Sequence, residues 1–469
     1  MAVAGGGVAG LAAALALQLE GIPVTVFERD ASLEARAQGY GMTISSGNKA
    51  LVALGVLDEL VERDTTSTSH WIFRCDGRVI GYFGRAFLGG PGGEAHGKGA
   101  SEGALRGNLR VPRLVLRQML LRRLDAGVVR WNSKVVHVQE DSKDGVVIDV
   151  EDGRGTRIRQ KFACLVAADG LRSSLRKFHP SVVTHAGCDE GDPLNFLGVF
   201  VCVGLSRLRH PLVRGRGFYT YGKRGGRLFV MPYSVDSSGE VDKTMWQLSW
   251  PCKTEGEALT WAKGNSKPGE VLDEVRHYVK EWHAPVPALI EATEVSDLWF
   301  SPLYDREVLP APRKGARSRI TVVGDSAHPM SMFKGMGANT ALHDGPHLAK
   351  ILAKALKTQG DKDLVGTAVA SWERQMVQRH AKTVHASRRA AQQLHDPELQ
   401  QGACHRFAGC VSHEDGARLM DALARHGVGA HSVAPDDAHL DAFEARVREI
   451  GQQTNAFNNT LAASADIKC

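Results

Sequence analysis

The sequence predicts an α/β protein with a three-layer, Rossmann-like nucleotide-binding fold, an inserted and mainly antiparallel β-sheet domain, and C-terminal helices. Three patterns lead to this prediction. A glycine-rich turn joins a short strand to a helix at the N-terminus, alternating and apolar strands fill the middle of the chain, and a buried-type strand with long helices follows residue 300. The length of 469 residues suits two or three domains.

The N-terminal segment has the order of a βαβ unit. Ala2 to Ala4 leads into the glycines, Val8 to Glu20 is a helix rich in Ala and Leu, and Gly21 ends it. The β-branched run from Val24 to Phe27 then forms a strand that stops at Glu28. Strand, turn, helix and strand together occupy about 30 residues, which is the length of this unit.

The turn itself contains a GxGxxG motif made of Gly5, Gly7 and Gly10. Without side chains the backbone can turn tightly and approach a pyrophosphate, whose negative charge is stabilised at the helix N-terminus. Glu28, at the end of the next strand, is placed to accept hydrogen bonds from a ribose. A bare GxGxxG also occurs in ordinary glycine-rich turns, but strand, helix and acid in register favour a dinucleotide site.

The elements that follow alternate between the two predicted folds. We expect a helix over about residues 48–61, a hairpin around Asp76-Gly77, a helix over 113–124 and a small antiparallel sheet formed by four short strands within 128–159. The middle strands predict a separate sheet, and in the last of them Trp246, Leu248 and Trp250 share one face. One face should pack, and the other could line a pocket.

These elements give the predicted domains. Residues 1–80 and 109–180 are the first parts of the nucleotide-binding domain, residues 181–300 are a substrate-binding β-sheet domain, and residues 301–394 return to the first domain with a strand and a long helix. Residues 395–469 are predicted to be a C-terminal helical extension.

Composition excludes several classes of protein. The net charge is only +6 without a long basic run, so no nucleic-acid partner is expected. The eight cysteines form no dense framework and no apolar run reaches the about 18 residues of a membrane span, which favours a soluble, cytoplasmic protein. Cys404, His405, Cys410 and His413 match no zinc spacing, so we predict no metal site.

Two further patches carry a family resemblance. Asp169-Gly170 opens the segment that ends at Arg176, and Gly324-Asp325-Ser326-Ala327-His328-Pro329 precedes Lys334-Gly335-Met336-Gly337-Ala338-Asn339. Together with the glycine turn they resemble the three fingerprints of the class A FAD-dependent aromatic monooxygenases, the family of para-hydroxybenzoate hydroxylase and the tetracycline-inactivating hydroxylases. The resemblance extends from Met1 to about Leu394.

The resemblance implies FAD-binding roles for a set of residues. In the family, the acid at Asp325 binds the ribityl chain, and the turn from Gly335 to Asn339 offers N–H groups to the flavin pyrimidine ring, where negative charge builds on reduction. The family places arginines near the adenosine, the phosphates or the flavin edge. The implied cofactor-binding residues are Gly5, Gly7, Gly10, Glu28, Arg29, Arg36, Arg113, Arg117, Asp169, Gly324, Asp325, Pro329, Gly335, Gly337, Ala338 and Asn339.

The resemblance also implies a reaction. NADPH or NADH binds transiently and reduces FAD. The reduced flavin then reacts with O₂ to form a C4a-hydroperoxide, which hydroxylates an aromatic or polycyclic small molecule. The sequence identifies no catalytic base, which is expected to come from the middle sheet. His70, His210 and Tyr221 are candidates, but each is more typical of a surface or structural residue. The oligomeric state stays open.

Two alternatives remain at this point. One is another FAD-dependent oxidoreductase of the same fold: a reductase, a dehydrogenase or a halogenase. Halogenases of this fold carry a Trp-x-Trp-x-Ile-Pro motif, whereas Trp246 to Pro251 reads Trp-Gln-Leu-Ser-Trp-Pro. The other is a non-catalytic FAD-binding module, although Gly5, Asp169 and Asp325 are all present.

Overall fold

The structure is a computed structural model that describes residues 1–36, 40–65, 67, 69–84, 108–183, 192–262, 267–358, 364–397, 406–408 and 445. The described chain forms two compact units. The first comprises Met1–Asp64, Val111–Leu197 and Leu303–Ala391, and the second comprises Thr65–Arg110, Gly198–Pro302 and Gln392–Cys469, each within the described ranges.

The strands of the described residues are, in chain order, β1 (Ala2–Ala4), β2 (Thr25–Phe27), β3 (Gly41–Ile44), β4 (Ser69–Arg74), β5 (Val79–Gly84), β6 (Leu109–Pro112), β7 (Val129–Arg130), β8 (Ser133–Ser142), β9 (Gly145–Asp152), β10 (Arg157–Phe162), β11 (Leu165–Ala167), β12 (Asn195–Ser206), β13 (Arg216–Tyr221), β14 (Arg227–Val235), β15 (Val241–Pro251), β16 (Trp299–Asp305), β17 (Ile320–Val322) and β18 (Arg406–Ala408). The α-helices are α1 (Val8–Leu19), α2 (Asn48–Ala53), α3 (Leu57–Glu62), α4 (Arg113–Arg122), α5 (Pro180–Val183), α6 (Glu255–Ala262), α7 (Pro268–Val279), α8 (Val286–Glu291), α9 (Gly337–Lys357) and α10 (Leu364–Leu394).

The first unit is built on a five-stranded parallel sheet in the order β17-β11-β1-β2-β7. Its central strands are short and apolar, and Val3, Val166 and Val322 are completely buried, as expected for a parallel sheet covered on both faces. Helices α1 and α9 form one layer next to this sheet. The antiparallel strands β8, β9 and β10 form a third layer, and Phe162 contacts Phe27 of β2 edge to face.

The second unit contains an eight-stranded sheet in the order β16-β12-β15-β14-β13-β4-β5-β18. Most neighbours are antiparallel, but β13 pairs with β4 and β18 pairs with β5 in parallel. One face of the sheet carries Phe218, Leu228, Trp246 and Leu248, which pack with the apolar residues of α7 and α8. The burial of these large side chains stabilises the unit by about 1.5–3 kcal/mol each.

The predicted fold class is confirmed, while several details differ. Gly55 has φ +67 and splits the expected helix over 48–61 into α2 and α3, because a left-handed glycine ends a helix. Strand β7 was expected in the small antiparallel sheet, but it pairs in parallel with β2 at the edge of the main sheet. Its two residues are too few to reveal their sheet through periodicity.

The compact units also differ from the predicted domain boundaries. The hairpin β4–β5 falls in the second unit because β4 pairs with β13, and residues 192–197 fall in the first. Most of the predicted helical extension 395–469, including Cys404, His405, Cys410 and His413, lies outside the described residues. Arg406–Ala408 within it form strand β18 instead of a helix. In the described ranges, no helix is sufficiently long and apolar to cross a bilayer.

Candidate functional site

The three glycines of the N-terminal turn have different tasks. Gly5 has φ +111, and a Cβ there would lie 2.4 Å from the carbonyl oxygen of Ala168 on the neighbouring strand. A Cβ on Gly10 would lie 1.9 Å from the carbonyl oxygen of Gly5. These two glycines are therefore required for the turn to pack on itself. Around Gly7 there is room, since the nearest atom to an added Cβ is Nη2 of Arg113 at 3.9 Å.

The N-terminus of α1 is suited to an anion. Gly7 is its N-cap, no side chain caps it, and its first turn contains no acidic residue. The half-buried Arg113 begins α4 beside this turn. Free N–H groups, the helix dipole and an arginine together match the charge and hydrogen-bonding needs of a pyrophosphate.

Glu28 and Arg117 hold the glycine turn. Oε2 of the buried Glu28 accepts a hydrogen bond from the Gly6 N–H, and Oε1 accepts one from the Asp30 N–H at 2.9 Å. Nε of Arg117 donates to the Gly6 carbonyl oxygen at 3.0 Å. Burial lowers the pKa of Arg117, Arg113 lowers it further, and Glu28 opposes both. Arg117 is thus a buried structural cation and not a surface residue.

The other two predicted arginines are less informative. The side chain of Arg29 is exposed. Arg36 ends the short 3-10 turn Glu34–Arg36, and its side chain lies outside the described parts of the chain. Their roles toward adenosine and phosphate stay predictions.

The second patch is locked to the third. Oδ1 of Asp169 accepts hydrogen bonds from the hydroxyls of Ser173 and Ser326, and Oδ2 accepts one from the Ser174 N–H at 2.9 Å. The N–H of Gly170, which has φ +87, donates to Oγ of Ser326 at 2.7 Å. Asp169 therefore fixes the geometry of both patches.

Arg176, at the end of the second patch, adds a further connection that the sequence did not assign. Its buried guanidinium donates to the carbonyl oxygens of Ser326 at 3.0 Å and Ala327 at 2.7 Å, and it pairs with Asp192. A planar cation that serves several carbonyl groups at once holds two loops in one arrangement. The sequence signal for this contact is the arginine that closes the Asp-Gly patch.

Asp325 has a special environment. Gly324 before it has φ +59, and a Cβ on Gly324 would lie 2.5 Å from the Cβ of Ala9 in α1. The Asp325 side chain is exposed, yet burial among surrounding protein atoms raises its pKa, while His328 and Arg113 oppose the increase. A carboxyl group that solvent reaches while protein surrounds it lies on the wall of a concave surface. Pro329, four residues later, is buried.

Helix α9 begins next to Asp325. Gly337 and Ala338 are its first residues, no side chain caps it, and its first turn contains no acidic residue. An added Cβ on Gly337 would lie 3.9 Å from Oδ1 of Asp325. Gly335, with φ +62, provides the left-handed turn that leads into the helix. The free N–H groups at this end suit a ligand oxygen that carries negative charge.

Asn339 is structural in its side chain. Its Oδ1 accepts hydrogen bonds from the N–H groups of Ser45 at 2.8 Å and Gly47 at 2.9 Å. Its Nδ2 donates to the carbonyl oxygens of Thr43 at 2.9 Å and Gly335 at 2.8 Å. All four hydrogen-bonding positions of the amide are used, so Asn339 fixes the start of α9 and the segment after β3.

Tyr40 joins the site without a prediction from sequence. Its carbonyl oxygen accepts a hydrogen bond from the Arg113 N–H at 3.0 Å, and the Arg113 guanidinium lies 5.7 Å from the centre of its ring. Burial raises the pKa of Tyr40, Arg113 and Arg117 oppose this, and Asp325 adds to it. These four side chains therefore share one electrostatic environment in the first unit.

The residues of the first unit fit FAD. One uncapped helix N-terminus lies beside Arg113 and another lies beside Asp325, which supplies separate positions for a pyrophosphate and for a hydroxylated chain with an electron-accepting ring. The contacts of the predicted residues with FAD stay predictions, while the hydrogen bonds by which Asn339 and Arg176 hold the neighbouring segments emerge only from the three-dimensional structure.

On the sheet face opposite the apolar core the second unit carries polar and aromatic side chains, of which His70, Arg110 and Arg227 are buried and Tyr219 and Phe229 are half-buried. The rings of Tyr219 and Phe229 stack at 4.7 Å, and the Arg227 guanidinium lies 4.8 Å from the centre of the Tyr219 ring. Nη2 of Arg110 lies 3.5 Å from Nε2 of His70. We call these five residues the aromatic–arginine face.

The three candidate bases have distinct environments. Burial and Arg110 lower the pKa of His70 to about 3, so the ring stays neutral and accepts hydrogen bonds. Nδ1 of His210 accepts a hydrogen bond from the Leu212 N–H at 3.2 Å, which makes it a cap of a 3-10 turn. Tyr221 is buried in an apolar cluster with Ile72 and Ile80. His210 and Tyr221 thus have structural roles.

Comparison with known proteins identifies the family. A family model described as "FAD binding domain" matches residues 1–385, which is most of the chain. The chain belongs to this FAD-binding family of class A flavoprotein monooxygenases. The predicted cofactor, FAD, is thereby confirmed for the family.

Two curated relatives and a solved structure illustrate the similarity. This flavoprotein is 30% identical to 3-amino-4-hydroxybenzoate 2-monooxygenase PtmB3 of Streptomyces platensis over 409 residues, covering 86% of the chain and 90% of the relative. It is 28% identical to the chloroplastic zeaxanthin epoxidase of Nicotiana plumbaginifolia, covering 76% of the chain but about half (49%) of the longer epoxidase. Klebsiella pneumoniae HpxO, solved in complex with FAD and uric acid, has a similar fold, with a TM-score of 0.68, 20% identity, and coverage of 90% of this chain and 95% of HpxO.

Proposed function

We propose that this flavoprotein takes electrons from NADPH or NADH and transfers one oxygen atom from O₂ to an aromatic or polycyclic small molecule. The observation that carries the proposal is the environment of Asp325, which is exposed beside the uncapped N-terminus of α9 and electrostatically coupled to Arg113. When bound, FAD supplies hydride acceptance and O₂ activation, which no protein side chain can provide.

The proposed work of the first unit is binding and charge stabilisation. The α1 N-terminus with Arg113 binds the pyrophosphate, and Glu28 accepts hydrogen bonds from the ribose. Asp325 accepts hydrogen bonds from the ribityl hydroxyls. The first N–H groups of α9 would bind the pyrimidine end of the flavin ring, and their fixed dipoles would stabilise negative charge there without reorganisation.

The proposed substrate surface is the aromatic–arginine face of the second unit. Tyr219 and Phe229 offer flat apolar area for a ring. Arg227 and Arg110 make the face positive, and a nearby cation lowers the pKa of a bound phenol and favours the electron-rich phenolate. The name of PtmB3, a 2-monooxygenase of 3-amino-4-hydroxybenzoate, describes a substrate with a phenol and a carboxylate, which supports this choice of ligand.

His70 has a defined role in this proposal. Because its pKa is lowered to about 3, the ring is uncharged and its unprotonated nitrogen accepts a hydrogen bond from a substrate hydroxyl or from Arg110. We also propose a cytoplasmic location, which the free thiols of Cys75, Cys164, Cys202 and Cys252 support.

The test is aerobic turnover by the purified protein reconstituted with FAD. The oxidation of NADPH and of NADH is followed with a panel of hydroxybenzoates, aminophenols and fused-ring phenols, and products are analysed by mass spectrometry. We expect faster oxidation in the presence of an aromatic acid and a product heavier by one oxygen atom. A phenyl ether of matched size, which cannot form a phenolate, is the control substrate.

The outcomes separate the alternatives. Bound FAD with NADPH oxidation but no oxygenated product on any substrate would favour a reductase or dehydrogenase. A chlorinated product in the presence of chloride would identify a halogenase. FAD that binds but is never reduced would leave a non-catalytic module.

A further inference from the structure

A buried cluster of three ionisable side chains lies behind Asp325 in the first unit. Nε2 of His328 is 2.7 Å from Oδ2 of Asp344 in α9, and Nε2 of His380 in α10 is 3.1 Å from Oδ1 of the same carboxylate. The two imidazole rings are 4.5 Å apart between centres. Asp344 is completely inaccessible, and both histidines are buried.

Asp344 also contacts the backbone of the third patch. The N–H of Gly324 donates to its Oδ2 at 2.9 Å, directly before Asp325. Gly324 has φ +59 and has no room for a side chain next to Ala9. The single carboxylate therefore accepts hydrogen bonds from both ends of the turn that presents Asp325, namely from Gly324 and from His328.

The charges in the cluster are unequal. Burial raises the pKa of Asp344, but His328 and His380 outweigh burial and hold it well below its usual range. Burial lowers the pKa of His328, but the contact with Asp344 outweighs burial and raises it. Burial lowers the pKa of His380 despite its hydrogen bond to Asp344. The positive charge of the cluster is therefore favoured on His328 and disfavoured on His380.

The cation of the cluster acts on Asp325. Burial raises the pKa of Asp325. His328 and Arg113 both oppose this increase, and the effect of His328 is the larger. Of the ionisable groups around the cluster, Asp325 lies on the same turn as His328, His347 lies on α9 and Arg379 lies on α10. Arg113 on α4 and Tyr40 interact with Asp325.

We propose that Asp344 is a positioning residue that holds the Gly324–Asp325 turn and the charge of His328 in the arrangement that binds the cofactor. His380 completes the carboxylate's hydrogen bonds from α10. This inference rests on the proposed contact of Asp325 with FAD. In this proposal the position of Asp325 depends on Asp344, a second and buried acid that contacts no ligand.

The expected pH dependence follows from the sign of the shift. A raised pKa keeps His328 protonated above the ordinary histidine value of about 6.5. FAD binding is then strongest at and below neutral pH and weakens as the pH rises through the raised pKa, because the loss of the cation makes an anionic Asp325 less favourable. In Asp344→Asn the largest contribution that opposes burial is lost, so the pKa of His328 should fall and the charge on its ring should be disfavoured.

The test measures the FAD dissociation constant by quenching of flavin fluorescence between pH 6 and pH 9, and metal content by elemental analysis. We expect Asp344→Asn to weaken FAD binding about tenfold or more at pH 7, which corresponds to one charge-assisted hydrogen bond, and to abolish the pH step. His328→Gln keeps a donor toward Asp344 without the charge. We expect it to fold and to lose the pH step as well.

A matched control exists on the same helix. Glu373 lies seven residues before His380 and pairs with the buried His179 at 2.8 Å, away from Asp325. Glu373→Gln should lower the free energy of unfolding of the apoprotein but keep the wild-type pH profile of FAD binding. A purely structural role of Asp344 would give Asp344→Asn this same result.

Three results would overturn the inference. The first is a wild-type pH profile of FAD binding in Asp344→Asn, whatever the free energy of unfolding of that variant. The second is one equivalent of a transition metal in the wild type that Asp344→Asn loses, since the three side chains would then be ligands. The third is a wild-type protein that binds no FAD, which overturns the proposed function too. A protein that binds FAD but forms no oxygenated product contradicts only the proposed function.

Discussion

At the scale of single residues, the chemistry of the candidate site is concentrated in few side chains, and many fingerprint residues serve packing. Gly5 and Gly10 permit the turn to close on itself, whereas Gly7 faces open space beside Arg113. The side chains of Asp169 and Asn339 form hydrogen bonds with neighbouring protein segments. The side chain of Asp325, in contrast, is exposed. Substitutions of packing residues should therefore lower stability, whereas substitution of Asp325 should weaken FAD binding.

Asp325→Asn should weaken FAD binding with little effect on folding. The exposed carboxylate makes its main contacts with the ligand in our proposal, and the loss of hydrogen bonds to a charged group costs about 1.5–3 kcal/mol, or roughly tenfold or more in affinity. Fluorescence quenching measures the affinity, and circular dichroism measures folding. The exposed Glu62→Gln is the control. Equal affinities of Asp325→Asn and the wild type would remove Asp325 from the site.

Substitution of Arg117 should mainly affect stability, whereas substitution of Arg113 should mainly affect FAD binding. Arg117→Met leaves the buried Gly6 carbonyl oxygen without its donor, which should lower the free energy of unfolding of the apoprotein by about 1–3 kcal/mol. Arg113→Met should keep stability within about 0.5 kcal/mol and weaken FAD binding. Urea unfolding of the two apoproteins provides the comparison. A loss of stability in Arg113→Met alone would reverse the two roles.

Because the pKa of His70 is lowered, we expect the stability of the second unit to fall at acidic pH. The folded pKa of about 3 lies far below the unfolded value of about 6.5, so below that value the unfolded chain takes up a proton that the folded chain refuses. Stability should therefore fall as the pH decreases from 6.5, by up to about 1.4 kcal/mol per pH unit from this residue. The measured quantity is the difference in unfolding free energy between wild type and His70→Gln at pH 7 and pH 5. A difference that does not change with pH would show that His70 titrates normally.

At the scale of elements, the contact between α1 and α9 brings the glycine turn and the third patch into one unit. Gly345 in α9 makes this possible, because an added Cβ would lie 2.8 Å from backbone atoms of Ala12 in α1. Pro346 follows it within the helix. Sequence periodicity predicted both helices. It could not show which glycine lies at their contact, because the pattern of one helix does not reveal which other helix packs against it.

Gly345→Ala should destabilise the first unit. The methyl group must push two closely packed helices apart, and overpacking of this kind costs about 1–3 kcal/mol. Gly269→Ala in α7 is the matched control, since an added Cβ there meets nothing within 4 Å. That control should be neutral or stabilising by about 0.5–1 kcal/mol, as is usual for glycine in a helix. Thermal unfolding compares the two variants, and equal effects would contradict the close contact.

At the scale of the whole molecule, the sequence predicted what depends on local pattern. The βαβ unit, the strand pattern of the middle segment and α9 and α10 follow from periodicity, glycine turns and β-branched runs. The membership of β4 and β5 in the second unit, the place of β7 in the parallel sheet, and the cluster around Asp344 depend on contacts between distant segments. Such contacts leave no periodic signal, which is why the sequence did not reveal them.

The same limit applies to the candidate site. The fingerprints predicted the cofactor, FAD, and the positions of the glycine turns and helix starts, because these features depend on local sequence. The aromatic–arginine face joins residues from four separate strands or segments, and the register of β4, β13 and β14 is needed to bring His70, Tyr219 and Phe229 together.

Transfer of an atom from O₂ to an aromatic substrate is the central claim. The most direct measurement is a single-turnover reaction of the FAD-loaded, NADPH-reduced protein with an isotopically heavy O₂ atmosphere and a hydroxybenzoate, followed by mass spectrometry of the product. We expect a product that carries one heavy oxygen atom. A product without the label, or reoxidation that releases only hydrogen peroxide with every aromatic substrate tested, would contradict it.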